Sequence, residues 1–327
     1  MKTVTLFILL LTTSILLRAQ QIIGRVLRIN SDTVVTGASV YFGGSTKGTS
    51  TNSLGTFTLN ANTSQIPLVV SCIGYYSTLV TDYGPDKPVT VYLKPKVNMM
   101  REVQIGYDGM SREEKLRIFK REFIGISDDA KSCTITNIDD IDLSYDQNTE
   151  TLTAFCNNPI IVKNKMLGYT INYYMDKFIR TSGHVRFAGN YLFKVDLITD
   201  PKQLKQVNLN REDAYSGSRM QFIRSLWNNT LAKHSYELYD NHYKKLPTDS
   251  LLYINPSGEK YVETNKTIRI AYQKDYSRIT ILTKKEALSF IDKDGFYGSG
   301  LTWSGKMSSQ RIGDLLPFEY VSPQDGK

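Results

Sequence analysis

From residue 22 to residue 93, apolar and polar residues alternate in short bursts, each stopped by glycine, asparagine, aspartate or proline. Residues 22–29 alternate and end at Asn30-Ser31-Asp32, and residues 38–42 end at Gly43-Gly44. Residues 56–59 follow the turn signal Asn52-Ser53-Leu54-Gly55, and 66–73, 77–81 and 89–93 complete the series. A period of two puts alternate side chains on one face of a strand, and no helical period interrupts it. The pattern predicts six short strands closing into a β-sandwich over 22–98. Gly37 and Gly55 fall where turns demand positive φ. Ala38 with Val40, and Phe57 with Leu59, are placed to point into one core, which Tyr75 caps with its ring.

The pattern changes after Asp108-Gly109. Ser111 and Glu114 have the spacing of a capping box, and Leu116, Phe119, Phe123 and Ile124 recur at helical intervals up to Gly125. Strand character returns over 133–198: Leu152, Ala154 and Cys156 alternate, as do Tyr169, Ile171, Tyr173 and Met175, with Asp146-Gln147-Asn148 as a hairpin loop. A second helix starts at Ser218, boxed by Gln221, and its stripe of Phe222, Ile223, Leu226, Trp227 and Leu231 reads as core packing. Residues 268–271, 279–282 and 287–291 resume strand character, and Asp294-Gly295 signals a hairpin. Helix, strands, helix, strands predicts an α+β domain over 111–327, with two helices and a mostly antiparallel sheet, joined to the sandwich by a linker at 99–110. The whole chain is expected to be mainly β.

Residues 1–19 belong to neither unit. Lys2 precedes an apolar run over 4–17, broken only by Thr5, Thr12, Thr13 and Ser14, and Leu17-Arg18-Ala19 precedes Gln20. That order is a secretory signal peptide cleaved after Ala19. The run of about 14 residues falls short of the roughly 20 needed to span a bilayer. The mature chain is therefore expected to carry no transmembrane segment and to reside in the periplasm or at the outer membrane. The first cysteine is Cys72, far from the cut, so the lipoprotein route is closed. Cleavage removes Lys2 and Arg18 from 40 basic residues, leaving 38 against 32 acidic, an excess of +6. The basic residues are scattered, which together with export argues against nucleic acid as a partner. Of the 3 cysteines, Cys133 and Cys156 share the second domain and are the pair that an oxidising compartment could join.

Five motifs fall in order along the first unit: Gly24-Arg25-Val26, Thr36-Gly37-Ala38-Ser39-Val40, Lys47-Gly48-Thr49-Ser50-Thr51-Asn52, Gly55-Thr56-Phe57 and Ile73-Gly74-Tyr75. The set resembles the carboxypeptidase regulatory-like domain, a transthyretin-like Greek-key sandwich. In one large group of Gram-negative bacteria that module fronts many exported and outer-membrane proteins. Arg101-Glu102-Val103-Gln104-Ile105 resembles the tail found there. The turn glycines and inward-facing strand residues among these motifs have structural roles, so none of them is expected to touch a substrate. Further on, Asn158-Pro159-Ile160-Ile161-Val162, Leu167-Gly168-Tyr169 and Tyr215-Ser216-Gly217-Ser218 resemble an uncharacterised segment that often follows the module.

Zinc carboxypeptidase chemistry needs a His-x-x-Glu pair and a distant third histidine. His234 and Glu237 have the spacing, but the only later histidine is His242. Neither Gly-x-Ser-x-Gly nor Gly-x-Gly-x-x-Gly occurs in a fitting context. Asp292-Lys293-Asp294-Gly295 begins like a calcium loop without its distal ligands and reads as a turn. No cofactor or metal site is nominated. Residues 295–303 interleave aromatics with glycines, so Phe296, Tyr297 and Trp303 either form a platform that stacks on a ligand or belong to a Gly-rich hairpin with Phe296 and Trp303 packed inward. The resulting expectation is a non-enzymatic envelope protein whose sandwich supports a second domain binding a protein or glycan. The alternatives are an accessory relative of the TonB-dependent importers and an enzyme with an unrecognised site.

Overall fold

The computed structural model describes residues 20–61, 66–85, 87–96, 108–263, 267–281, 289–323 and 325. The leader at 1–19, the tail motif at 101–105 and most of the expected linker lie outside these residues.

The first unit holds β1 (Gln21–Arg28), β2 (Ser39–Phe42), β3 (Gly48–Ser50), β4 (Thr56–Asn60), β5 (Leu68–Ser71), β6 (Thr78–Val80) and β7 (Val89–Leu93). They form two sheets, β4-β1-β7 and β3-β2-β5-β6, in which only the β1/β7 pair runs parallel. Alternation places Ile22, Val26, Val40, Phe42, Phe57, Leu59, Leu68, Val70 and Val91 in one core, with Ala38 buried beside them and Tyr75 packed at its margin. Gly37 and Gly55 both adopt φ of +70°, as their turns require. All six expected strands are present, and β3 is an addition.

The region beyond residue 108 is α+β, but its buried residues fall into two clusters rather than one. The first gathers α1 (Arg112–Phe123), α2 (Asp128–Lys131), β8 (Cys133–Ile135), β9 (Asp142–Asp146), β10 (Thr151–Phe155), β11 (Ile160–Asn164), β12 (Tyr169–Thr181), β13 (His184–Val195) and α3 (Pro201–Tyr215). Ser111 caps α1, its side chain accepting from the Glu114 amide. The strands order as β8-β11-β12-β10-β9, while β13 lines the other side of β12 with a bulge between Met175 and Lys177. α1 lies on this sheet through Phe119 and Phe123, whose rings stand 4.9 Å from those of Phe178 and Tyr173 respectively.

The second cluster begins with α4 (Arg219–Trp227), capped by Ser218. It continues through β14 (Tyr236–Tyr239), β15 (Lys245–Leu246), β16 (Leu252–Ile254), β17 (Lys260–Val262), β18 (Ile268–Tyr272), β19 (Asp275–Ile281), β20 (Phe290–Ile291) and β21 (Leu301–Gly305). These make an antiparallel β15-β14-β18-β19-β21 sheet and a small β16-β17-β20 sheet. The chain then returns to the first cluster through Ile312 and Leu316. Four α-helices stand among the described residues where two were expected: α2 and α3 are the additions. α3 is announced by Asp200, which caps it, and by Pro201 at its first turn.

Cys133 and Cys156 are not bonded to each other, and all three cysteines are free. Cys133 opens β8, which pairs with β11, and Cys156 follows β10, which pairs with a later stretch of β12 than β11 does. Each thiol instead meets a backbone carbonyl, Cys133 Sγ donating to Asp129 and Cys156 Sγ to Asp140, both at 3.4 Å.

The module is not tethered loosely. The outer face of its β2/β5 sheet is covered: Tyr41 is 0% exposed and stacks on Tyr174 of β12 at 5.8 Å between ring centres. The Tyr174 hydroxyl shares a 2.8 Å hydrogen bond with the hydroxyl of Ser39. Backbone bonds cross as well. Gly44 donates to the Tyr191 carbonyl at 2.9 Å, Phe193 donates to Ser45 at 2.8 Å, and Phe318 donates to Gly44 at 3.0 Å. Gly44 has φ of +72°, and a Cβ there would meet the Phe318 ring at 2.6 Å, so only glycine lets the three segments meet.

Candidate binding site at a three-way junction

Two clefts open where the module, the first cluster and the second cluster meet, with Phe318 lining both. The smaller, of about 370 Å³, is bordered by Phe187 and Tyr191 of β13, Tyr297, Phe318 and Arg219 at the start of α4. Arg219 is held in place by Gln310, its Nε donating to the side-chain oxygen and its Nη2 to the carbonyl, both at 3.3 Å. The cleft thus presents ring faces beside a fixed guanidinium. Gly189 also borders it, and a Cβ at that position would meet the Tyr174 carbonyl at 2.3 Å, so the bulged strand can approach β12 only without a side chain.

The three aromatics nominated from sequence are half-buried and dispersed. Phe296 turns toward the module core and packs 5.5 Å from Phe290 and 5.9 Å from Phe318. Trp303 meets Phe222 edge-on at 5.8 Å and Tyr297 at 5.4 Å. Of the three, Tyr297 borders the smaller of these two clefts. Tyr191 and Arg219 were not nominated, and no local motif marks them, because β13 and the α4 entry meet only after the chain has doubled back.

The larger cleft, of about 570 Å³, is polar. Arg224, on α4, donates to the carbonyls of Asp294 at 3.1 Å, Tyr320 at 2.8 Å and Phe318 at 3.1 Å. This grip, with Glu212 accepting from the Tyr320 hydroxyl and the Ser322 hydroxyl at 2.9 and 2.8 Å, straps the tail across the junction. At the next residue of α4, the Ser225 hydroxyl lies 2.7 Å from His234 Nδ1, while His234 Nε2 stands 3.6 Å from Asp325 Oδ1. Serine, histidine and aspartate in a row invite comparison with a hydrolytic triad. Ser225, however, is 1% exposed inside α4, where neighbouring amides are committed to helix bonds rather than aimed at an oxyanion. The pair instead fixes the imidazole so that Nε2 faces the aspartate.

The residues at zinc-like and calcium-like spacings do not converge on a site. Glu237 is engaged by Lys245 at 2.5 Å and by the Tyr239 hydroxyl at 2.6 Å, away from His234. Asp292 to Gly295 form a tight turn, with the Asp292 carboxylate accepting from the Asp294 amide at 2.7 Å. Among the described residues no group of three His, Cys, Asp or Glu side chains is placed to hold a metal. No helix among them is long and apolar enough to cross a membrane.

Elsewhere, burial and then the nearby Asp314, Asp213 and Asp128 carboxylates raise Asp129 to about 6. Burial, reinforced by Asp314 and Asp129, pushes the Cys133 thiol up to about 12. Burial likewise carries Cys156 to about 11.

Two packed sheets with turn glycines, an inward stripe on each strand and a covered outer face define a β-sandwich module built into a larger chain. Residues 22–105 match the CarboxypepD_reg-like domain family, and that stretch is a carboxypeptidase regulatory-like domain covering roughly a quarter of the chain. No curated protein matches the chain.

Proposed function

We propose that this is a non-enzymatic protein of the cell envelope, exported, cut after Ala19 and held in the periplasm or at the outer membrane. The sandwich module braces a second region that binds a protein or glycan partner through the aromatic cleft. The observation carrying this reading is the grouping of Tyr191, Tyr297 and Phe318 around the fixed Arg219 in about 370 Å³. Rings with one apolar face and a polar tip, next to an oriented guanidinium, suit a sugar ring or an aromatic side chain of a partner. The module contributes by fixing Phe318 and β13 through Gly44 and Ser45. The signal-like order of residues 1–19 supports export.

The test is capture of partners from a cell-envelope extract on immobilised mature protein, with Tyr297→Ala and Tyr191→Ala alongside the wild type. Capture should fall about ten-fold in each variant, the scale of losing an aromatic anchor. Undiminished capture by both variants, or hydrolysis of peptides or glycans that Ser225→Ala abolishes, would overturn the reading. N-terminal sequencing of the protein recovered from the envelope should begin at Gln20.

A further inference from the structure

The larger cleft contains a carboxylate supplied by the chain itself. Asp325 accepts from the Tyr215 hydroxyl at 2.6 Å through Oδ2, with Arg224 Nη1 3.8 Å from the same oxygen and His234 Nε2 3.6 Å from the other. All three partners are fixed from behind. Tyr215 is 0% exposed, Arg224 is anchored by three carbonyls, and His234 is held by Ser225. The His234 side chain is only 10% exposed, yet Nε2 has no hydrogen-bond partner among the described residues, because 3.6 Å lies beyond hydrogen-bond reach. Asp325 therefore meets one donor well and leaves a buried, oriented one short of its acceptor. Around this point Lys47, Lys233 and Lys293 line the cleft. These lysines and Arg224 line the cleft together with the carboxylates of Asp294, Glu319 and Asp325.

We infer that this cleft is a binding site for a small carboxylate-bearing ligand, and that Asp325 occupies it as an internal stand-in. An incoming carboxylate takes the place of the Asp325 side chain between Tyr215, Arg224 and His234, moving close enough to accept from Nε2. Because the tail residue competes for the same donors, the intact protein binds such ligands more weakly than the site itself can. The inference does not depend on the aromatic cleft, and Tyr297→Ala is expected to leave it unchanged.

The experiment uses the full mature chain as wild type, Asp325→Ala and Asp325→Ala/His234→Ala. Thermal melting is followed against sodium acetate, succinate and an acetylated triglycine with a free carboxyl end, at ionic strength matched with chloride. Acetamide and the triglycine amide serve as neutral controls. Asp325→Ala should be stabilised saturably by the carboxylates and not by the amides, at about ten-fold lower concentration than wild type needs. Adding His234→Ala should remove that response. Stronger binding of succinate than of the peptide would assign the natural ligand to small organic acids, and the reverse to peptide ends. In wild type, saturating carboxylate should speed exchange of the Asp325 amide, which donates to Ser322 at 3.1 Å. If Asp325→Ala does not fold, Asp325→Asn, equal in size and uncharged, replaces it. Equal responses to carboxylate and chloride, or equal half-saturation in wild type and variant, would overturn the inference.

Discussion

Arg224→Lys isolates the contribution of one side chain to the whole junction. The guanidinium, 11% exposed, donates to three carbonyls at 2.8–3.1 Å, two of them on the tail and one on the turn after β20. Lysine keeps the charge but offers a point donor on a flexible stem, which reaches one of the three acceptors. Two part-buried carbonyls then lose a charge-assisted hydrogen bond worth about 1.5–3 kcal/mol each. Allowing for a water at the more exposed one, the expected loss is about 3 kcal/mol. For a unit of this size that corresponds to a fall in melting temperature of about 6–12 °C. Urea unfolding at pH 7 reads the loss as a lower midpoint at unchanged slope. Exchange of the Phe318 and Tyr320 amides should rise with it, since both donate across the junction or within the tail turn. A loss below about 0.5 kcal/mol, the scale of an ordinary surface substitution, would refute the view that Arg224 straps the tail.

Asp129→Asn should stabilise the protein by about 1–2 kcal/mol at pH 7.5 and by almost nothing at pH 4, the carboxyl being half-exposed and its energy discounted accordingly. The folded carboxyl titrates near 6 against 3.8 when unperturbed, so its favourable contribution is complete below about 3.8 and is lost as pH rises through about 6. A stability–pH curve for the variant parallel to that of wild type would contradict this. Gly44→Ala should cost more than about 2 kcal/mol, because it combines a positive φ with a 2.6 Å clash against Phe318. Thermal unfolding measures that loss, and a neutral effect would mean that the three segments do not meet there. Cys133 and Cys156, with thiols raised to about 12 and 11, should alkylate slowly with iodoacetamide at pH 8 in the native state. Complete labelling without reductant once the chain is unfolded confirms that both are thiols, and protection that only a reductant removes would show a disulfide.

Much of the module was legible because its turns are written in glycine and its strands in strict alternation. β3, with the sequence Gly-Thr-Ser, carries no apolar side chain and so gave periodicity nothing to detect. α1 and α4 were legible through Ser111 and Ser218, whose caps form as spaced. α3 escaped because it is largely a surface helix. It buries Val207, Asn210 and Tyr215 while Leu204 and Leu209 stay exposed, so no apolar stripe emerges, although Asp200-Pro201 does mark its start. The division of 111–327 into two cores could not be read along the chain, since Ile312 and Leu316 return to a cluster that opened near Ile118. The same return assembles both clefts. Ser225 and His234 are neighbours by sequence, but Asp325 comes from far along the chain and Lys47 from the module. Local spacing contains no trace of such a meeting. Phe296 and Trp303 illustrate the converse, a local pattern of rings and glycines whose side chains were absorbed by neighbouring cores.

The central claim is that the sandwich module is a fixed wall of the junction rather than a domain on a string. Hydrogen exchange at the amides of Gly44, Phe193 and Phe318, each of which donates to a carbonyl across the boundary between module and neighbouring segments, tests it most directly. They should be protected to the same extent as amides inside β12, and Tyr41→Ala should release all three together. Exchange of these amides at the rate of an open loop, with β12 still protected, would contradict it.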